Sequence, residues 1–99
     1  TPKGIRDKAM LELLYATGMR VSELIPLETT DVNLQLGYVV CQENKERIIP
    51  VGNVSKEALN LYLEEGRKVF VKDDSEHALL TNCSGKAMSR QGFWKMLKG

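Results

Sequence analysis

The 99-residue chain is 42% apolar and 27% charged, a balance that supports one small folded domain, or a piece of a larger one, and excludes disorder. No apolar run approaches the roughly 20 residues of a membrane-spanning helix, and Thr1-Pro2-Lys3-Gly4 opens without an apolar signal core, so the chain reads as soluble and cytoplasmic. The net charge of +1 hides a gradient: residues 1–83 carry 10 Lys and Arg against 13 Asp and Glu, and residues 84–99 carry four against none, a local basic end suited to phosphates or to a solvated helix face.

Thr1 as N-cap and Pro2 at the first helical position predict a helix over about 2–16. Ile5, Ala9, Met10, Leu13 and Leu14 form its apolar face, Arg6, Asp7, Lys8 and Glu12 take the other, and Gly18 supplies a left-handed C-cap. Arg20–Leu27 reads as a second helix of barely two turns, limited by Pro26. Thr29-Thr30-Asp31 is turn chemistry. Tyr38–Cys41 and Arg47–Val51, separated by Glu43-Asn44-Lys45, form an antiparallel hairpin whose second strand is at an edge or finishing because of Pro50.

Ser55 is expected to cap a third helix with Ala58, Leu59, Tyr62 and Leu63 inside, running to Gly66 or a turn beyond, before a polar loop at Asp73-Asp74-Ser75. His77–Thr81 reads as a short strand or extended segment, Asn82–Gly85 as a turn, and Ser89 as N-cap of a last helix burying Phe93, Met96 and Leu97. The fold class is α+β, mainly helical with a small antiparallel sheet. Absence of an initial Met, and an end at Lys98-Gly99 directly after an apolar-aromatic stretch, predict an excised segment rather than a whole gene product.

Cys41 and Cys83 lie far apart without metal-ligand spacing, so neither a disulfide framework nor a zinc site is expected. No Gly-rich phosphate loop and no HExxH occur, and the lone His77 beside acidic residues reads as a surface or strand-edge residue. More informative are three ordered stretches: Ala16-Thr17-Gly18-Met19-Arg20-Val21-Ser22-Glu23-Leu24, followed by Asp31-Val32; Asn44-Lys45-Glu46-Arg47-Ile48-Ile49-Pro50-Val51-Gly52; and Met88-Ser89-Arg90-Gln91-Gly92-Phe93-Trp94. Together, from about Ile5 to Met96, they resemble the catalytic domain of the tyrosine site-specific recombinases, in particular the Xer-type and phage-integrase-like branch.

The resemblance implies that residues 1–99 are a partial catalytic domain that stops before a His-x-x-Arg pair and a nucleophilic tyrosine. In that family the tyrosine hydroxyl attacks a DNA phosphodiester, giving a 3′-phosphotyrosyl link and a free 5′-hydroxyl, with no metal or other cofactor. Arg20 matches the first catalytic arginine, whose planar guanidinium suits the charge developing on phosphate oxygens. Glu23 resembles an acidic residue that orients Arg20 or a neighbouring donor. Lys86, Arg90 and Gln91 resemble, or adjoin, positions that touch the DNA backbone.

Family hairpins place a general-acid lysine two residues before the Asn; here Gln42 stands there, in a loop one residue shorter, and Lys45 is the nearby lysine. The sequence leaves open which of the two occupies the acid position. Tyr15, Tyr38 and Tyr62 read as half-buried aromatics with hydroxyls at the surface, none a nucleophile. The implied partner is double-stranded DNA, with a tetramer for the parent protein and a monomer for this chain. A second reading is a non-catalytic, helix-rich DNA-binding or protein-interaction module, a decayed relative in which Gln42 marks loss of the acid.

Overall fold

The computed structural model describes residues 1–42, 46–73 and 75–98. Helix α1 spans Pro2–Thr17: the Thr1 hydroxyl accepts the Gly4 N–H, and Gly18, at φ 67°, closes the helix by donating to the Leu14 carbonyl. A side chain with a Cβ resists that left-handed conformation, so the glycine stops the helix sharply. Its inward face is Ala9, Met10 and Leu13, as expected, together with Arg6, which was not. Arg6 is buried because it finds partners inside: it donates to the Thr81 carbonyl at 3.2 Å, pairs with Asp7 at 2.9 Å and lies over the Phe70 ring at 5.4 Å. A charge so paired tolerates burial that an isolated one does not.

The second helix is one turn, α2 Val21–Leu24, rather than two. The backbone then turns at Ile25-Pro26, and Thr29–Asp31 forms a short 3-10 turn. A three-stranded antiparallel sheet follows in the order β1 Val32–Asn33, β2 Tyr38–Cys41, β3 Arg47–Pro50. The expected hairpin is β2 and β3, paired from Tyr38 with Pro50 to Cys41 with Arg47, and Pro50 does sit in an edge strand. Its turn, residues 43–45, lies outside the described residues, as does Asp74 of the polar loop. Strand β1 was not anticipated, since two residues display no alternation. The Asn33 side chain braces the turn that leads from it to β2 by accepting the Leu36 N–H at 2.9 Å.

Helix α3, Asn53–Leu61, begins two residues before Ser55, with Gly52 at the N-cap. Ser55 is instead buried and donates to the Glu12 carbonyl of α1 at 3.0 Å. The helix continues through a π-turn at Tyr62–Gly66 into α4, Arg67–Phe70. At that turn Gly66 meets Ile5 of α1, 3.2 Å from where a Cβ would lie, so the bare glycine permits the close approach. Residues 77–81 form no strand: 77–79 lie against 27–29 with an isolated pairing of Ala78 with Glu28, and after a bend Thr81 pairs with Ala87. Helix α5, Arg90–Lys98, starts where the Ser89 hydroxyl accepts the Gly92 N–H. It buries Phe93 and half-buries Met96 but leaves Leu97 exposed, contrary to expectation.

Leu24, Leu27, Val39, Cys41, Leu59, Tyr62, Leu79, Leu80 and Phe93 complete one core against α1. Tyr62 departs from the surface position expected for its hydroxyl: it is wholly buried and donates to the Leu79 carbonyl at 2.6 Å. Tyr15, by contrast, is 86% exposed. Among the described residues no helix is long and apolar enough to cross a membrane. Gly85, at φ 80°, packs so closely that an added Cβ would overlap the Phe70 carbonyl oxygen. Gly85→Ala is therefore expected to lower unfolding stability by about 3 kcal/mol, read as a fall in the urea midpoint without a change in slope.

Candidate active site

Gly18 ends α1, Met19 is buried as an anchor, and Arg20 emerges exposed with extended backbone at φ −79° and ψ 156°. One turn later Glu23 folds back, its Oε1 accepting the Arg20 N–H at 2.9 Å. An acidic residue at this place satisfies an amide that a helix start otherwise leaves unpaired. The amide is thus already occupied by an internal anion, and the helix is a single turn. What remains for an external anion is the Arg20 guanidinium, which hydrogen-bonds to no described residue.

The other Glu23 oxygen, Oε2, accepts from Nη2 of Arg47 at 2.7 Å, and Cys41 Sγ lies 3.8 Å from the same oxygen and 3.6 Å from Arg47 Nη2. The Arg20 backbone N–H, and secondarily Arg47, hold the Glu23 carboxyl below the usual value of 4.5. A second carboxylate works eight residues on: Asp31, buried, accepts the Glu28 N–H at 2.9 Å and the Gln42 side-chain amide at 2.6 Å. The last residue of β2, the residue after it and the first residue of β3 are therefore each held by contacts to the segment carrying Arg20 and Asp31.

Of the residues singled out in the sequence, Arg20, Glu23 and Gln42 belong to this neighbourhood. Lys45 lies outside the described residues. Lys86, Arg90 and Gln91 stand elsewhere, exposed around the start of α5; Lys86 sits in a turn where its N–H donates to Asn82 Oδ1 at 3.1 Å. Among the described residues no hydrogen bond joins them to the Arg20 cluster. Lys95, farther along α5, lines a groove with Lys3 and Ser89.

Sequence reasoning gave no role to Asp31, Cys41 or Arg47. One signal for the last two existed: residues directly opposite in an antiparallel pair project to the same face, so pairing Cys41 with Arg47 sets them side by side. Nothing local announced the Asp31 bond to Gln42, eleven residues away.

The phage integrase family model matches residues 1–99. The chain is 56% identical to the tyrosine recombinase XerD of Halalkalibacterium halodurans over 98% of its own length and 33% of the relative's. It is 50% identical to XerD of Oceanobacillus iheyensis over 100% of the chain and 34% of that protein, and 48% identical to XerC of Herpetosiphon aurantiacus over 99% and 33%. A crystal structure of XerA recombinase superposes with a TM-score of 0.84 at 27% identity, covering 94% of this chain and 34% of that one. The chain thus spans about a third of the length of the curated relatives it matches.

The depressed carboxyl at Glu23 has a definite sign. Its folded value lies below the unfolded one, so its contribution to stability is complete above the ordinary 4.5 and is lost as pH falls through the lower folded value. Denaturation midpoints measured downward from pH 6 are expected to fall in that window, and Glu23→Gln is expected to flatten this part of the profile.

Proposed function

The chain belongs to the phage integrase family, and on that premise we propose that it is the N-terminal part of a tyrosine recombinase catalytic domain, serving DNA recombination or mobile-element integration. In this reading the parent protein cuts and rejoins double-stranded DNA through a 3′-phosphotyrosyl intermediate. The observation that carries the reading is the exposed Arg20 guanidinium, mounted on a backbone amide fixed by Glu23 beside the base of the hairpin. An arginine stays charged at every working pH and offers a planar pair of donors, which favours a phosphate as its charge builds in the transition state.

The general acid must protonate the departing 5′-oxygen, and Lys45 fills that role in this reading. Gln42 carries no dissociable proton, and its amide is committed to Asp31. The nucleophile is not among the tyrosines of residues 1–99. Burial raises the Tyr62 phenol above its usual value of 10.0, and its O–H donates a hydrogen bond to the Leu79 carbonyl, the reverse of an activated nucleophile. Lys86, Arg90 and Gln91 supply phosphate contacts that hold the duplex without reading its sequence, two of them at the start of α5. We further propose that the parent acts in the cytoplasm as a tetramer on DNA and that the 99-residue chain alone is monomeric and forms no covalent adduct.

The test is covalent trapping on a nicked suicide duplex by the recombinase that contains this segment. Arg20→Ala is expected to lower adduct formation by about 100-fold to 1,000-fold, as loss of a transition-state donor does, with noncovalent binding changed far less. Undiminished adduct in that variant would refute the assignment of Arg20.

A further inference from the structure

We infer that Arg47 is a positioning residue for Arg20, acting through Glu23: it ties the strand leaving the hairpin to the chain segment that carries the phosphate-binding guanidinium. The inference rests on the reading of Arg20 given above and adds a residue to which that reading gives no part.

The Glu23 carboxylate has two oxygens and each is claimed from a different side, Oε1 by the Arg20 N–H and Oε2 by the Arg47 guanidinium. Rotating the carboxylate breaks both bonds together, so a firm hold on one oxygen fixes the other. Arg47 supplies that hold from a rigid base, being the first residue of β3 and directly paired with Cys41 in the ladder. Its Nη2 reaches the Glu23 oxygen and the Cys41 sulfur at once, at 2.7 and 3.6 Å. A planar guanidinium presents donors in a fixed fork, whereas a lysine ammonium offers only a point charge on a flexible stem.

Stability alone is a poor explanation for this pair. The Arg47 side chain is 52% exposed, and half-solvated ion pairs add little to folding. Its geometric effect is not screened in the same way: the Glu23 side chain is only 15% exposed, and the groups facing it are the Arg20 amide, the Arg20 charge, the Arg47 guanidinium and the Cys41 thiol. The pair thus couples the place where the hairpin begins its return to the place where Arg20 leaves the core. A change in hairpin position is transmitted to the Arg20 backbone by two side chains, Arg47 and Glu23.

The experiment uses the 99-residue chain, labelled with nitrogen-15, with Arg47→Met, Arg47→Lys and Arg20→Ala. The Arg20 amide resonance reports Glu23 titration directly. Arg47→Met is expected to raise that midpoint toward the ordinary carboxylate value, and Arg47→Lys to restore part of the depression; an unmoved midpoint in Arg47→Met would overturn the link. Dispersed spectra in Arg47→Lys guard against misreading an unfolded variant.

In binding to a short duplex at low salt, Arg47→Met is expected to weaken affinity about fivefold when Arg20 is present and less than about twofold in the Arg20→Ala background. Equal losses in both backgrounds would mean that Arg47 touches phosphate itself, and would overturn the proposal. Should Arg20→Ala alone leave affinity unchanged, the phosphate reading of Arg20 fails, while the amide titration still decides whether Arg47 acts on Arg20 through Glu23.

Discussion

A single carboxylate, that of Glu23, is shared between the backbone of Arg20 and the guanidinium of Arg47, and the candidate site is organised around it. Without an acceptor there, the start of α2 would lose the partner of its first amide, and Arg47 the one ion pair it makes among the described residues. With it, a helix of one turn gains a defined entry angle that its own hydrogen bonds are too few to impose. Asp31 repeats the device at the other strand of the hairpin by holding Gln42. Two carboxylates from one stretch of chain therefore aim both strand ends flanking residues 43–45.

The remainder of the fold places that stretch. Thr1 and Gly18 set the two ends of α1, so that Arg20 stands two residues after the Gly18 stop, with Met19 buried between as an anchor. Ser55 fastens α3 to the Glu12 carbonyl, and Tyr62 fastens the π-turn to the segment at Leu79, which itself pairs with Leu27 just beyond α2. The Tyr62 bond is buried and the Ser55 bond partly so, and truncating either side chain would strip its carbonyl of a partner, which is why they hold the helices in register rather than merely filling space.

Local signals in the sequence were read correctly where the partner is local. The Thr1 cap, the Gly18 stop, the β2–β3 hairpin with its edge proline and the Ser89 cap involve residues within a few positions or one turn of each other. Readings failed where the partner is distant. Arg6 looked like a solvated residue because nothing near it discloses the Thr81 carbonyl, 75 residues on, or the Phe70 face. Ser55 looked like a cap because its bond to Glu12 crosses 43 residues. The site follows the same division: Arg20 and Glu23 stand in one motif, whereas the ties from Glu23 to Arg47 and from Asp31 to Gln42 exist only once the sheet has formed.

In the proposed function the Arg20 end of α2 and the start of α5 face a DNA phosphate backbone. The most direct measurement is an amide chemical-shift titration of the 99-residue chain with a short duplex of arbitrary sequence. Shifts are expected to concentrate at Arg20–Glu23 and at Arg90-Gln91 and to weaken together as salt rises. Shifts confined to other surfaces at saturating duplex, or none at low salt, would contradict it.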